Sequence, residues 1–226
     1  MNWTDEYREI VEFYYWEPQH IGRAKGEKRF DSADEMYAHI NKLEVSLNHV
    51  LNIFFSLYPL HKLGCFDADD SHVMLSAWQL ELLNREQKNA TQPDTFFEGD
   101  NKNIAIELKT ASKSDLGQVI KYIRFNEALL GSESKDFELV MLTPFDEISK
   151  VFKEKYQTTL ELQDAIQEAG VTPPKISIIS FSQLSLSLKS ERTHNETEEK
   201  LVAGLISYLD KRPELNITTK TSLNKE

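Results

Sequence analysis

Two acids and a lysine are spaced along the middle of the chain in a way that suits metal-dependent hydrolysis. Asp94 follows a proline, and Glu107 and Lys109 stand two residues apart in the apolar run 104–109. Because side chains alternate between the faces of a strand, Glu107 and Lys109 share one face. Two carboxylates that approach each other repel unless a cation lies between them, and oxygen-only ligands suit Mg²⁺ or Mn²⁺. Lys109 could then orient or deprotonate a metal-bound water and stabilise charge on a phosphate.

The flanking residues predict a β-hairpin that brings the two acids together. Residues 95–97 predict a short strand, the Gly-Asp-Asn sequence at 99–101 a turn, and residues 104–109 the second strand. Asp94 begins the first strand, so across the hairpin it can approach Glu107. The alternative for Asp94 is an ordinary turn residue, and for Glu107 it is an ion pair on an exposed strand, which would contribute little stability.

Pro93-Asp94, twelve further residues, and Glu107-Leu108-Lys109 together resemble the motif of the PD-(D/E)xK nuclease superfamily. This resemblance implies a restriction-endonuclease-like fold and a Mg²⁺-dependent phosphodiesterase, with Mn²⁺ able to substitute for Mg²⁺. It implies that Asp94 and Glu107 bind the metal and that Lys109 supports hydrolysis. DNA is the expected substrate, and both endonuclease and exonuclease action stay open.

Glu81 is implied as a third metal ligand, because in this family an acid often comes from the preceding helix. It is the only acid or base between Val73 and Asn84 in the segment 71–87, which predicts a buried helix. A buried carboxylate is expected to be protonated, paired or bound to a metal. The alternative is an ion pair with Arg85 one turn later.

The next predicted helix, residues 115–130, extends the resemblance. Gln118 and Tyr122 match the QxxxY motif of the branch typified by RecB-like and lambda-exonuclease nuclease domains. Together with Lys121 and Phe125 they are expected opposite the apolar side of the helix, where they could line a cleft and contact the phosphate backbone. Lys113 and Lys121 would supply local positive charge. The alternative is a solvated helix face.

Composition and charge set limits on this interpretation. The 226 residues suit one α/β domain with a helical extension, and a single cysteine, Cys65, excludes an internal disulfide. The net charge of −11 argues against a protein that coats nucleic acid, because such binding depends on basic residues. The acidic N-terminus does not resemble a signal peptide, and no apolar run is long enough to span a bilayer. We therefore expect a cytoplasmic protein that does not interact with membranes.

A capping box at residues 32–35 predicts the start of a long N-terminal helix. This helix is expected to end near Leu57. Its apolar residues follow a coiled-coil-like 4-3-4-3 spacing from Met36 to Leu57, widened by neighbours that include Ile53. This pattern is typical of a helix packed on its own domain, and the alternative is a homodimer through residues 36–57. The seam consists of Met36, Ile40, Leu43, Leu47, Val50, Phe54 and Leu57.

The remaining pattern predicts an α/β three-layer sandwich around a mixed sheet, with an N-terminal helical extension. The expected divisions are an extension at 1–60, a nuclease-like core at 61–211 and a polar tail at 212–226. The acidic residues 67–70 are expected to form a turn and a helix start. Further predicted elements are strands at 137–142 and 176–181 and helices at 4–16, 146–156, 159–169 and 196–210.

The expected function is therefore a metal-dependent nuclease that hydrolyses DNA, and replacing Glu107 or Lys109 by alanine should abolish cleavage. The alternative is a catalytically silent protein of the same fold that acts as a binding or assembly module through its N-terminal helix.

Overall fold

The chain forms two compact units, Met1–His49 and Val50–Glu226. The structure, a computed structural model, describes residues 43–75, 93–110, 112–130, 135–191, 195–212 and 215. The predicted first helix, the capping box and the first part of the apolar seam therefore lie outside the described residues, as does Glu81. The division into 1–60, 61–211 and 212–226 stays a prediction.

The described part of the second unit contains both helices and strands. In chain order they are α1 (Leu43–Leu57), which begins in the first unit, a 3-10 turn (Leu60–Lys62), β1 (Val73–Met74), β2 (Thr95–Glu98), β3 (Lys102–Leu108), α2 (Leu116–Leu130), β4 (Asp136–Thr143), α3 (Ile148–Val151), α4 (Thr159–Glu168), β5 (Lys175–Ser180), α5 (Phe181–Ser190) and α6 (Glu196–Asp210). No helix among the described residues is long and apolar enough to cross a membrane.

The five strands form one mixed sheet in the order β1-β2-β3-β4-β5. β1, β2 and β3 pair antiparallel, whereas β3, β4 and β5 pair parallel. The predicted hairpin is confirmed, with Thr95 opposite Ile106 and Phe97 opposite Ile104. Since β3, β4 and β5 run in the same direction, their carboxyl ends lie along one edge of the sheet.

The main core lies between α2, α4 and one face of the sheet. Phe96, Ala105 and Met141 on the strands pack with Val119 of α2 and Leu162 of α4, and all five are fully buried. Glu107 has the same strand parity as Ala105, so it belongs to this face. Alternation along β3 therefore directs one acidic side chain to the α2 side of the sheet.

The opposite face of the sheet is covered by α1. The Phe55 ring packs edge-to-face on Phe97 of β2, with 5.7 Å between the ring centroids, and on Phe66, with 5.9 Å between the centroids. The buried side of the helix includes Leu51, Phe54 and Phe55, whereas Ile53 is 53% exposed and Leu57 is 60% exposed. For a helix packed on its own domain, the predicted seam is thus wrong at Leu57, and Ile53 does not widen it, because the buried arc turns toward Phe55.

The α/β class, the mixed sheet, and the elements at 116–130, 136–143, 159–168 and 196–210 agree with the prediction. The predicted helix at 71–87 is wrong at its start, because Val73 and Met74 pair with Glu98 and Phe97 as an edge strand. Residues 76–87 lie outside the described part of the chain. The turn predicted for the acidic residues is present, and the Asp69 carboxylate accepts hydrogen bonds from the N–H and hydroxyl of Ser71.

Two further predictions need correction. The helix predicted at 146–156 is only the single turn α3, because Phe152 forms a parallel bridge with Ser114 and Lys155 takes a positive φ of 57°. The strand predicted to end at Phe181 ends at Ser180, where α5 begins without a loop. Ser180 and Gln183 form a capping box there, and their spacing was a readable helix-start signal.

Candidate active site

Asp94 lies immediately before β2 and is held to the end of β3. Its carboxylate Oδ2 accepts a hydrogen bond of 2.8 Å from the backbone N–H of Leu108. Its own carbonyl accepts a hydrogen bond of 3.3 Å from the side-chain amide of Asn52. The structure thus brings the Asp94 carboxylate beside the strand that carries Glu107, as the hairpin predicts.

Glu107 and Lys109 form a buried ion pair at the carboxyl end of β3. The Nζ of Lys109 lies 2.7 Å from Oε1 of Glu107. Lys109 is only 8% exposed and Glu107 only 4%. The backbone N–H of Lys109 donates to the carbonyl of Leu142, which extends the pairing with β4 beyond the strand itself. The pair therefore does not lie on an exposed strand, and its electrostatic attraction is screened less than that of a surface pair.

Gln118 joins the pair from α2. Its side-chain amide Nε2 donates to Oε1 of Glu107 at 2.9 Å and to the hydroxyl of Tyr122 at 2.6 Å. Its amide oxygen accepts from the hydroxyl of Ser114 at 3.0 Å. The Gln118 amide thus contacts both the acid of the ExK motif and the tyrosine of its own QxxxY motif.

Tyr122 occupies a different place from the one predicted. The residue is 1% exposed, and Phe125, which is equally buried, packs edge-to-face on Phe96 of β2. The prediction that Tyr122 and Phe125 lie opposite the apolar side of the helix is therefore wrong, because α2 is buried over a wider arc than its aliphatic residues indicate. The Tyr122 hydroxyl nevertheless reaches the Glu107 site.

Burial raises the pKa of Tyr122 well above that of a free tyrosine, and the charge of Glu107, a hydrogen bond to Glu107 and the charge of Asp94 raise it further. The hydrogen bond from Gln118 acts in the opposite direction.

Lys113 and Lys121 are exposed near the beginning of α2. The carboxylate of Asp115 lies among the basic groups there. It pairs with Lys153 at 2.7 Å, and this hydrogen bond, one from the backbone of Gln118, and the charges of Lys153 and Lys121 lower its pKa. Lys153 was not predicted, because it comes from the turn after α3, far along the chain.

Ser114 and Asn52 were also missed by the sequence interpretation. Ser114 stands four residues before Gln118, which is the spacing of neighbours on a helix, so a signal was available for it. Asn52 lies in α1, outside the residues that carry the motifs, and nothing in the sequence connects it with Asp94.

The described residues contain no group of three or more His, Cys, Asp or Glu side chains that could hold a metal. Glu81, the predicted third ligand, is outside the described residues. Of the three predicted metal ligands, Asp94 and Glu107 are the two that the structure describes.

The site lies where ligands commonly bind in open α/β sheets, at the carboxyl ends of parallel strands. β3, β4 and β5 end at Leu108, Thr143 and Ser180. Comparisons with protein-family models, with curated proteins and with solved structures found no match. The function is therefore inferred from the residues and their geometry.

Proposed function

We propose that this chain is a cytoplasmic Mg²⁺-dependent nuclease with a restriction-endonuclease-like core that hydrolyses phosphodiester bonds of DNA. The observation that carries the proposal is the buried contact of 2.7 Å between Lys109 and Glu107, with Gln118 on the same carboxylate oxygen. An isolated acid–lysine pair is common, but a pair that also holds the glutamine of a QxxxY motif matches both parts of the family pattern. The antiparallel hairpin followed by parallel strands supports the proposed core.

The donor set fits a hard divalent cation. Mg²⁺ in phosphate-processing enzymes is commonly bound through one or two carboxylates, with water and substrate phosphate completing its shell. Asp94 and Glu107 would supply those two carboxylates, and Glu81 is proposed as a third. The chemistry that a bound Mg²⁺ supplies is polarisation of a phosphodiester and a lowered pKa of a water molecule.

The protein groups around the two acids have separate roles in this proposal. Lys109 places a cationic amine beside Glu107, where it can stabilise negative charge that develops on a phosphate. Gln118 holds one oxygen of Glu107 and thereby fixes the orientation of the carboxylate. Tyr122 is protonated at neutral pH, as an ordinary tyrosine is, and its raised pKa extends this to higher pH, so its hydroxyl can donate a hydrogen bond to Glu107.

DNA binding is proposed to be local. With a net charge of −11, most of the surface repels phosphate, whereas Lys113 and Lys121 lie exposed beside the beginning of α2. Ser114, which bonds to Gln118 of the site, follows Lys113 directly in the sequence. We assign Lys113 and Lys121 to contacts with the backbone of the bound strand.

A cleavage assay with circular and linear DNA in MnCl₂ or in EDTA tests the proposal. The wild-type protein is expected to degrade or nick DNA only when Mn²⁺ is present, and Asp94→Asn is expected to lose this activity. A Mn²⁺-dependent rise in melting temperature that disappears in Asp94→Asn would support the metal site separately, because a ligand of the folded state raises stability. A wild-type protein with neither cleavage nor a Mn²⁺ effect contradicts the proposal.

One observation favours the second candidate function, a binding or assembly module. Ile53 and Leu57 lie four residues apart on α1 and are both more than half exposed, which is unusual for neighbouring large apolar residues on one helix face. The assembly function predicts association in solution without cleavage of DNA. Light scattering on the same samples as the cleavage assay therefore separates the two candidates.

A further inference from the structure

Asn52 connects α1 with the start of β2 through two hydrogen bonds. Its amide Nδ2 donates to the carbonyl of Asp94 at 3.3 Å, and its amide oxygen accepts from the hydroxyl of Thr95 at 2.8 Å. Thr95 is almost fully buried, at 2% exposed. Both ends of one side-chain amide are thus used on two consecutive residues of the hairpin, the first of which is a proposed metal ligand.

The contact from Asn52 reaches the main-chain carbonyl of Asp94 and leaves its carboxylate to a different partner. The carboxylate is held by the N–H of Leu108, and the carbonyl by Asn52, so the residue is held at both ends. Residue 94 lies just before β2, and the pairing of β2 with β3 begins at Thr95, opposite Ile106. The amide of Asn52 adds a side-chain contact to the Asp94 carbonyl at this position.

α1 is otherwise anchored to the sheet by apolar packing. Phe55, one turn from Asn52, packs on Phe97 of the same strand β2. The ring contact and the Asn52 amide therefore join the same helix to the same hairpin, through residues three apart on α1. The helix is outside the span that carries the family motifs, 93–122, yet it contacts Asp94, the first acid of the PD-(D/E)xK motif.

We infer that Asn52 is a positioning residue for Asp94, so that α1 is a working part of the metal site and not only a covering layer. The inference rests on the proposed function. Mutation of a residue that orients a metal ligand typically lowers metal affinity or activity by about 10- to 100-fold. The amide of Asn52 acts on the main chain of the ligand, so its loss should loosen Asp94 without removing any metal-binding oxygen.

Mn²⁺ binding, measured by calorimetry without DNA, tests this inference with a readout that does not need cleavage. Asn52→Ala is expected to weaken Mn²⁺ binding by about 10-fold or more. The matched control is Ser56→Ala on the same helix, since the exposed Ser56 hydroxyl donates to the Ile53 carbonyl one turn back. Ser56→Ala is expected to bind Mn²⁺ like the wild type.

A second pair of variants keeps the test valid if Asn52→Ala fails to fold. Thr95→Val removes the hydroxyl that fixes the Asn52 amide while keeping the volume of the side chain, and is expected to weaken Mn²⁺ binding. Thr95→Ser restores the hydroxyl and is expected to recover most of the lost affinity. If the buried volume at position 95 set the Mn²⁺ affinity, the smaller serine would not recover it.

The possible outcomes separate this inference from the proposed function. If the wild type binds Mn²⁺ and Asn52→Ala binds it equally well, with or without a lower melting temperature, Asn52 only stabilises the fold and the inference is overturned. Equal binding by Thr95→Val and Thr95→Ser overturns it in the same way. If the wild type itself neither binds Mn²⁺ nor cleaves DNA, the proposed function fails, and the inference that rests on it fails with it.

Discussion

The hydrogen-bond partners at the site determine the orientation of the Gln118 side-chain amide. An ionised carboxylate only accepts hydrogen bonds, so the Gln118 amide must direct its Nε2 toward Glu107. Its oxygen then needs a donor, which the buried Ser114 hydroxyl supplies at 3.0 Å. Ser114 is itself fixed by backbone hydrogen bonds to Val151 and Lys153. The Glu107 carboxylate is therefore preorganised by a chain of contacts that ends in the turn after α3.

The raised pKa of Tyr122 gives a testable dependence of stability on pH. A group whose pKa is higher in the folded state contributes stability below its unfolded pKa of about 10, and that contribution is lost as the pH rises above this value. Unfolding then releases a proton, so the free energy of unfolding falls by up to about 1.4 kcal/mol per pH unit for this residue. Tyr122→Phe is expected to reduce this fall.

Urea unfolding of both proteins between pH 9 and pH 11 measures the two slopes. Tyr58, whose pKa is raised to about 12 mainly by burial, contributes to the slope in both proteins and cancels from the comparison. Parallel curves for the wild type and Tyr122→Phe would show that the Tyr122 hydroxyl is not held protonated by its surroundings.

The residues of the site were predictable where local periodicity determines direction. The shared face of Glu107 and Lys109 follows from strand alternation alone, and the proximity of Asp94 follows from the hairpin. The bond from Asn52 to Asp94 joins residues 42 positions apart and depends on how α1 packs, so no local pattern could indicate it. Tyr122 was misplaced because a tyrosine can bury its ring while its hydroxyl remains hydrogen-bonded.

At the scale of elements, tertiary contacts changed what local pattern predicts. Val73 and Met74 have the apolar neighbours of a helix, but pairing with β2 makes them an edge strand. The turn at Phe152 ends α3 early because that segment pairs with Ser114. The elements that were predicted correctly, such as α2, α4, β3 and β4, have strong periodicity or apolar runs.

Substitutions on α1 distinguish its buried side from its exposed side. Phe54 is 3% exposed and stacks on Tyr58, so Phe54→Ala is expected to lower the free energy of unfolding by about 3–5 kcal/mol. Ile53→Ala, one residue earlier, is expected to change it by less than about 0.5 kcal/mol. Urea denaturation at two protein concentrations measures both. A loss for Ile53→Ala that grows with protein concentration would instead indicate a dimer through this helix.

At the scale of the whole molecule, two buried acids among the described residues, Glu107 on β3 and Glu138 on β4, lie on neighbouring strands with different surroundings. Glu107 lies at the carboxyl edge of the sheet, whereas Glu138 lies at the amino edge, where Lys102, Lys175 and Ser177 contact it. Asp67 pairs with the same two lysines, and its pKa is lowered to about 2, chiefly by the hydrogen bond from Lys175. The amino-edge charges are balanced within this group, which suits a structural role.

The acidic molecule is expected to bind DNA through few basic side chains, so single lysines should be measurable. Lys121→Ala is expected to weaken DNA binding and to reduce the slope of log affinity against log salt by about 0.9 for double-stranded DNA, because one phosphate contact is lost. Fluorescence anisotropy in Ca²⁺ at several salt concentrations measures both quantities. Lys200→Ala, an exposed lysine of α6 paired with Glu196, is the matched control and should leave the slope unchanged.

The central claim is that Glu107 is a catalytic metal ligand and not simply a buried acid. The most direct measurement is the initial rate of Mn²⁺-dependent DNA cleavage by Glu107→Gln and Glu138→Gln, with folding of each checked by circular dichroism. Glu107→Gln is expected to lower the rate about 100-fold or more, because glutamine keeps the shape but removes the charged ligand. Glu138→Gln is expected to retain cleavage. Equal rates for the two folded variants would contradict the account.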